Sequence, residues 1–183
     1  MIIYPNKISN KYVTITAIAV FSSWVLHEFS HWATGTALGY KMGMSLNKTF
    51  LANGSFNSSA DYQLVSSAGP AFTILQALLI FLLMKKYRNY LLYPFLLTCF
   101  YMRLFATVIS FRRYNDEARI SDFFGIGAFT LPVIVSVLLF LLVFKTSKDY
   151  GFSLRFNLTT LVLVILFSTI IILTDQFLHV RLL

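Results

Sequence analysis

Charge is what this 183-residue sequence has least of: 12% of its residues are charged, against about a quarter in a typical soluble domain. A single cysteine excludes a disulfide-stapled secreted domain, and a hydrophobic fraction of 57% excludes a disordered chain. The scarcity of charge also argues against an ordinary soluble enzyme. A polytopic membrane protein remains, and the mean hydropathy of +0.72 agrees with that class.

Five apolar segments are long enough to cross a bilayer, which takes about 20 residues. They cover residues 12–39, 62–84, 90–111, 127–144 and 156–177. Because they use most of the chain, we predict one membrane-embedded, all-α domain over residues 1–183, with about five transmembrane helices. The net charge of +8 comes from lysines and arginines near span ends, where lipid headgroups explain them better than nucleic acid does.

The connection between the first two spans carries a turn signal. Asn53-Gly54 favours a two-residue hairpin turn because both residues tolerate positive φ. Short β-prone pieces flank it at residues 49–51 and 55–56. We therefore predict a small membrane-associated β-hairpin there, with an irregular loop as the alternative.

Two of the three histidines and one of the two glutamates lie within His27-Glu28-Phe29-Ser30-His31. On a helix, positions i and i+4 share a face, so both imidazoles can bind one metal ion, and Glu28 can act as general base. Each ionisable group inside a span costs on the order of 2.5 kcal/mol or more, so three adjacent ones need a compensating partner. A metal supplies one; a polar packing cluster or a proton relay is the alternative.

A catalytic zinc ion usually has a third protein ligand. The candidates in this sequence are Asp61, Asp116, Glu117, Asp122, Asp149, Asp175 and His179. If every span crosses once, Asp149 lies on the wrong face. Asp116 and Glu117 follow the third span, and Asn115 can cap a helix that starts there and runs into the fourth span. A solvated loop is the other interpretation of that stretch.

Three segments together resemble the site-2 protease family of intramembrane zinc metalloproteases. Residues 27–42, HEFSHWATGTALGYKM, are similar to the family's H-E-x-x-H helix and the small-residue segment that precedes a membrane-associated hairpin. Ser67-Ala68-Gly69-Pro70 resembles the Gly-Pro that opens the family's next core span. Residues 116–120, DEARI, resemble its Asp-Gly-Gly-Arg-Ile, whose Asp is the third zinc ligand.

The resemblance implies a set of roles for residues of this chain. One zinc ion would be held by His27, His31 and Asp116, with Glu117 as the alternative third ligand, and Glu28 would be the catalytic base. The weaker candidates are Asn53, Gly54, Gly69 and Pro70 for substrate binding, and Arg103 and Arg119 for support of the site. Thr73 stands where the family has an Asn, and Gln76 either replaces that Asn or joins two helices by a hydrogen bond.

The function implied by the resemblance is that of an intramembrane zinc endopeptidase, in a short form without a PDZ or other regulatory domain. It would cleave transmembrane helices of membrane-anchored substrates, as a multi-pass protein of the bacterial cytoplasmic membrane. Its partners would be a transmembrane protein or peptide and the bilayer, not nucleic acid. The alternative is a non-proteolytic protein that binds metal or relays protons, such as a transporter or a pseudoprotease. Glu28 discriminates, because a pure binding site needs no carboxylate after its first histidine.

Overall fold

The computed structural model describes residues 7–178 and 180–183. Six α-helices, a short 3₁₀ helix (Tyr90–Leu92) and two strands follow one another along this part of the chain. The helices are α1 (Asn10–Ala37), α2 (Ser59–Tyr87), α3 (Tyr93–Ile109), α4 (Asp116–Phe123), α5 (Thr130–Tyr150) and α6 (Leu154–Leu178), and the strands are β1 (Met42–Met44) and β2 (Thr49–Leu51). The prediction of a mostly helical chain with a small hairpin after the first helix is confirmed.

Five helical segments are long and apolar enough to cross a membrane: α1, α2, the 3₁₀ helix with α3, α5 and α6. They coincide with the five apolar segments of the sequence, and polar residues cap the starts of the first two. Ser9 caps α1 by accepting the amide hydrogen of Tyr12, and Ser58 caps α2 by accepting that of Asp61. Arg88, in the left-handed region at φ 53°, ends α2.

Helix α1 packs against α2, α3 and α6, so residues on three of its sides are buried. Polar pairs join it to its neighbours at intervals along its length. The Trp24 Nε1–H donates to Ser168 Oγ of α6 at 3.1 Å, and Gln76 Nε2 of α2 donates to Ser23 Oγ at 2.9 Å. This bond confirms one of the two interpretations of Gln76, that it joins two helices by a hydrogen bond. Such pairs are typical of helices that pack without a hydrophobic driving force between them.

The interpretation of Gly69-Pro70 as the start of a helix is wrong. Helix α2 begins eleven positions before Pro70, at Ser59, and passes through both residues without a break. A proline inside a helix removes one backbone hydrogen bond, and the packing of α2 against α1 and α3 compensates for that loss.

The hairpin exists, but the predicted position of its turn is wrong. Strands β1 and β2 pair antiparallel, with Gly43 opposite Phe50, and residues 45–48 form the turn. Asn53-Gly54 follows β2 in the loop to α2, with Gly54 at φ 74°. Residues 55–56, which were expected to form the second strand, lie in this loop instead. There the ring of Phe56 packs against that of Tyr40, at a centroid distance of 4.9 Å.

The outer edge of β1 is covered by the end of the chain. The Met44 N–H donates to the Leu183 carbonyl at 3.0 Å, and the Leu182 N–H donates to the Met44 carbonyl at 2.9 Å. Asp175 of α6 also holds the hairpin turn, because its carboxylate accepts from Ser45 Oγ at 2.8 Å and from the Leu46 N–H at 3.1 Å. The hairpin is thus fixed on the β1 side, whereas no strand of the described residues pairs with the outer edge of β2.

Helix α4 starts where the sequence predicts, with Asn115 as its cap, but it does not run into the fourth span. It ends at Phe123, and α5 begins only at Thr130. Gly125 and Gly127 lie between them with φ values of 69° and 89°, a conformation that breaks a right-handed helix. The short helix packs against α2 and α5, and the side chain of its first residue, Asp116, reaches His27 and His31 of α1.

Candidate metal centre

Three buried side chains from α1 and α4 converge on one point: His27, His31 and Asp116. The two imidazole Nε2 atoms are 3.2 Å apart, and Asp116 Oδ2 lies 3.5 Å from each of them. In a tetrahedral site with bonds of about 2.0–2.1 Å, the ligand atoms are about 3.3–3.4 Å apart. The three atoms therefore fit the edges of such a site, and this group can hold a metal ion.

The other nitrogen of each imidazole is fixed by a hydrogen bond to α2. Thr73 Oγ1 donates to the Gly69 carbonyl at 3.0 Å, so it is left to accept from His27 Nδ1–H, which lies 3.0 Å away. His31 Nδ1–H donates to the Val65 carbonyl at 2.6 Å. With the proton of each neutral ring on Nδ1, both Nε2 atoms present bare lone pairs to each other and to the carboxylate. Such second-shell bonds are typical of histidines that bind metal.

Asp116 is held in place from its own helix. Arg119, one turn later on α4, donates to Asp116 Oδ1 at 2.6 Å, which leaves Oδ2 to face the histidines. The adjacent Arg119 guanidinium favours the anionic form of the Asp116 carboxylate, which is the form that binds a metal ion.

Gly69 makes room for the two imidazoles. A Cβ atom at this position would collide with His31 Nε2 and would lie 2.5 Å and 2.7 Å from the Cε1 and Nε2 atoms of His27. Real Cβ atoms do not come so close to such atoms, so α2 can approach the histidines only with glycine here. The structure places Gly69 against the metal-facing nitrogens, and its assignment to substrate binding stays a prediction.

Glu117 points away from the three converging ligand atoms and pairs with Arg103. Arg103 Nη1 donates to Glu117 Oε1 at 2.8 Å, and the two side chains are 4% and 6% exposed. Arg103 Nη2 lies 3.5 Å from both ring nitrogens of His27. The two arginines predicted to support the site thus hold adjacent carboxylates: Arg119 holds Asp116, and Arg103 holds Glu117.

Glu28 lies beside the group, at the inner end of a pocket of about 380 Å³. Its Oε2 accepts from Thr49 Oγ1 of β2 at 3.0 Å, so the hairpin sets the position of the carboxylate. The same pocket is lined by His31, Asp116 and Arg119. A buried carboxylate, a candidate metal site and an open pocket therefore lie together.

The other predicted residues lie elsewhere. Asn53 and Gly54 are exposed and are not among the residues that line the pocket, and Pro70 is buried within α2. Of the other third-ligand candidates, Asp61 accepts from the Tyr40 hydroxyl at 2.6 Å, and Asp175 binds the hairpin turn. Two more, Asp122 and Asp149, lie outside the group that can hold a metal, and His179 lies outside the described residues.

Sequence reasoning did not assign the groups that orient the two histidines and Glu28. Thr73 was noted only as a replacement for an Asn, and the Val65 carbonyl carries no side-chain signal. Thr49 was assigned to a strand without a role toward Glu28. Comparison of the chain with protein-family models, with curated proteins and with solved structures finds no match. The resemblance to the site-2 protease family stays a prediction.

Replacement of Gly69 by alanine should abolish metal binding, because the new Cβ would displace His27 and His31. Zinc content of the purified protein, measured by elemental analysis, checks this. Gly35→Ala is the matched control: its Cβ would meet only the side chain of Met42, which is flexible and can move. Equal zinc content in the two variants would contradict the role given to Gly69.

Asp116→Asn and Glu117→Gln should separate the two adjacent carboxylates. The first change should weaken zinc binding by more than the roughly 10–100-fold caused by loss of a second-shell hydrogen bond. The second should keep the zinc but destabilise the protein by about 3 kcal/mol, because it leaves the buried Arg103 charge without its partner. Chelator competition and thermal unfolding in detergent measure the two effects. Loss of zinc in the Glu117 variant alone would reverse the assignment.

Proposed function

We propose that this chain is a multi-pass integral membrane protein and a zinc-dependent endopeptidase that cleaves membrane-anchored polypeptides. The observation that carries the proposal is the convergence of two bare imidazole nitrogens and one carboxylate oxygen beside Glu28. Five helices of sufficient length and hydropathy support the membrane setting. The resemblance of residues 27–42 and 116–120 to the site-2 protease family supports the choice of zinc and of peptide hydrolysis.

Zinc held by His27, His31 and Asp116 would supply Lewis acidity for the activation of a water molecule and the polarisation of a peptide carbonyl. Glu28 takes the proton from the attacking water and then delivers it to the leaving amine. The Thr49 hydroxyl donates to Oε2 of Glu28, which holds the carboxylate in the pocket that His31 and Asp116 also line. The Nδ1–H bonds of both histidines keep their rings from turning.

An extended substrate can pair with the outer edge of β2. Hydrogen bonds from Ala52 N–H to Lys41 and from Ser45 N–H to Lys48 fix which residues face the partner strand. Along an antiparallel pair, residues whose backbone groups bond the partner strand alternate with residues whose backbone groups face outward. The N–H and C=O groups of Thr49 and Leu51 therefore face outward. Both residues line the pocket that contains Glu28. Strand addition at this edge would hold an unwound substrate segment beside the base.

Glu28→Gln should retain zinc and lower the cleavage rate by about 10²–10⁴-fold, the usual contribution of a general base. The assay uses purified protein in detergent with single-span substrates, and mass spectrometry detects the products. Zinc content serves as the control for an intact site. Bound zinc without any Glu28-dependent cleavage would refute the protease and favour a non-proteolytic metal-binding protein.

Leu51→Pro should lower cleavage by about two- to tenfold, because it removes one outward N–H that would bind the substrate strand. Proline is tolerated at a sheet edge whose N–H faces outward, so the hairpin should persist. Leu51→Ala is the matched control, since it shortens the side chain and keeps the N–H. Unchanged kcat/KM in the proline variant, with zinc bound in both, would rule out strand addition at β2.

A further inference from the structure

The pocket beside the candidate metal centre is bounded by β2, by the first turns of α2 and by the connection from α3 to α4. Four aromatic rings and three cations are among its lining residues. The rings belong to Phe50, Phe56, Tyr62 and Tyr114, and the cations to Lys48, Arg113 and Arg119. Among the residues that line it, the carboxylates are Glu28 and Asp116, both at the metal end. The wall away from the metal is therefore positively charged.

Two of these three cations have no carboxylate partner within the described part of the chain. Arg119 is committed to Asp116 at 2.6 Å, whereas Lys48 and Arg113 form no salt bridge with a described carboxylate. Both are exposed residues, and the Lys48 ammonium lies 6.0 Å from the centre of the Phe50 ring. Their charges are thus free to meet an anionic group that enters the pocket.

The carboxylates around this end of the molecule are already engaged by other groups. Asp61 accepts from the Tyr40 hydroxyl, and Asp175 accepts from the turn of the hairpin. Glu117 is buried with Arg103. None of these three forms a salt bridge with Lys48 or Arg113. The uncompensated charge is therefore a property of the folded pocket.

We propose that Lys48 and Arg113 bind an acidic side chain of the substrate, so that the pocket selects membrane-anchored segments with Glu or Asp near the cleaved bond. This inference rests on the proposed function. Lys48 immediately precedes Thr49, whose backbone lies on the free edge of β2, so its side chain borders the path of a paired strand. Ion pairs are stronger beside a low-dielectric bilayer than in bulk water.

A lipid phosphate would offer the same chemistry as a carboxylate. The polypeptide is favoured because both cations line the pocket that reaches Glu28 and the β2 edge, where a substrate backbone has to lie. The aromatic rings of the same wall suit the apolar side chains that flank an acidic residue near a membrane span.

The test uses synthetic single-span peptides with one Glu or one Gln at successive positions around a Gly-Pro break. Binding is measured with the zinc-loaded Glu28→Gln protein in phosphatidylcholine vesicles, and cleavage with the wild type. At one register the Glu peptide should bind more tightly than the Gln peptide. Lys48→Met and Arg113→Met should each reduce that preference by about two- to fivefold, as for a single partly exposed ion pair.

The matched controls are Lys41→Met and Arg112→Met, which remove nearby exposed cations that do not line the pocket. They should leave the preference unchanged. A double change of Lys48 and Arg113 to Glu should transfer the preference to a peptide with Lys at the same register. Zinc content should be equal in all variants.

The outcomes separate this inference from the proposed function. Equal binding of Glu and Gln peptides at every register overturns the inference, even where Glu28-dependent cleavage is found. A preference for Glu that depends on Lys48 and Arg113, without cleavage by the wild type, supports the inference and refutes the protease. Alternatively, Lys48→Met and Arg113→Met weaken binding equally for the Glu and Gln peptides, and only in vesicles that contain phosphatidylglycerol. That result assigns the two cations to lipid binding and overturns the inference.

Discussion

The close approach of α2 to α1 at Gly69 is the constraint on which the candidate metal centre depends. Because no side chain stands there, the imidazoles of His27 and His31 fill the space, and their outer nitrogens reach Thr73 and the Val65 carbonyl on the same helix. One helix thus makes room for both rings and sets their tautomers. Two lone pairs and a carboxylate oxygen then face one another, and a bound cation would offset the repulsion among these buried, electron-rich atoms.

Much of this structure could be predicted from the sequence because the governing signals are local or compositional. The five apolar helices follow from runs of apolar residues that are long enough, as helices, to span a bilayer. The placement of His27 and His31 on one face follows from helical spacing alone. Asn115 as a helix cap follows from its side-chain oxygen and the acidic residues after it. Each of these needs only a few neighbouring residues to be specified.

The features that could not be predicted depend on partners distant in the chain. Asn53-Gly54 has the chemistry of a hairpin turn, yet the turn forms at residues 45–48 because Asp175, far along the sequence, binds it. The choice between Asp116 and Glu117 rests on how α4 packs against α2 and α5, which turns one carboxylate toward Arg103 and the other toward the histidines. No local pattern distinguishes two adjacent acidic residues. The contact of His31 with the Val65 carbonyl could not be predicted either, because every residue type has a backbone carbonyl.

Residues 181–183 complete the outer side of β1, and this has a consequence for how copies of the protein can meet. An uncovered strand is a template for association between chains, and among residues 7–178 and 180–183 no strand pairs with the outer edge of β2. Two copies that joined their sheets would have to do so through the strand that borders the pocket of each. Self-association by this route and occupation of the pocket by an extended segment are therefore mutually exclusive. In a crowded membrane, a second copy of the protein would compete with such a segment for the outward-facing backbone groups of β2.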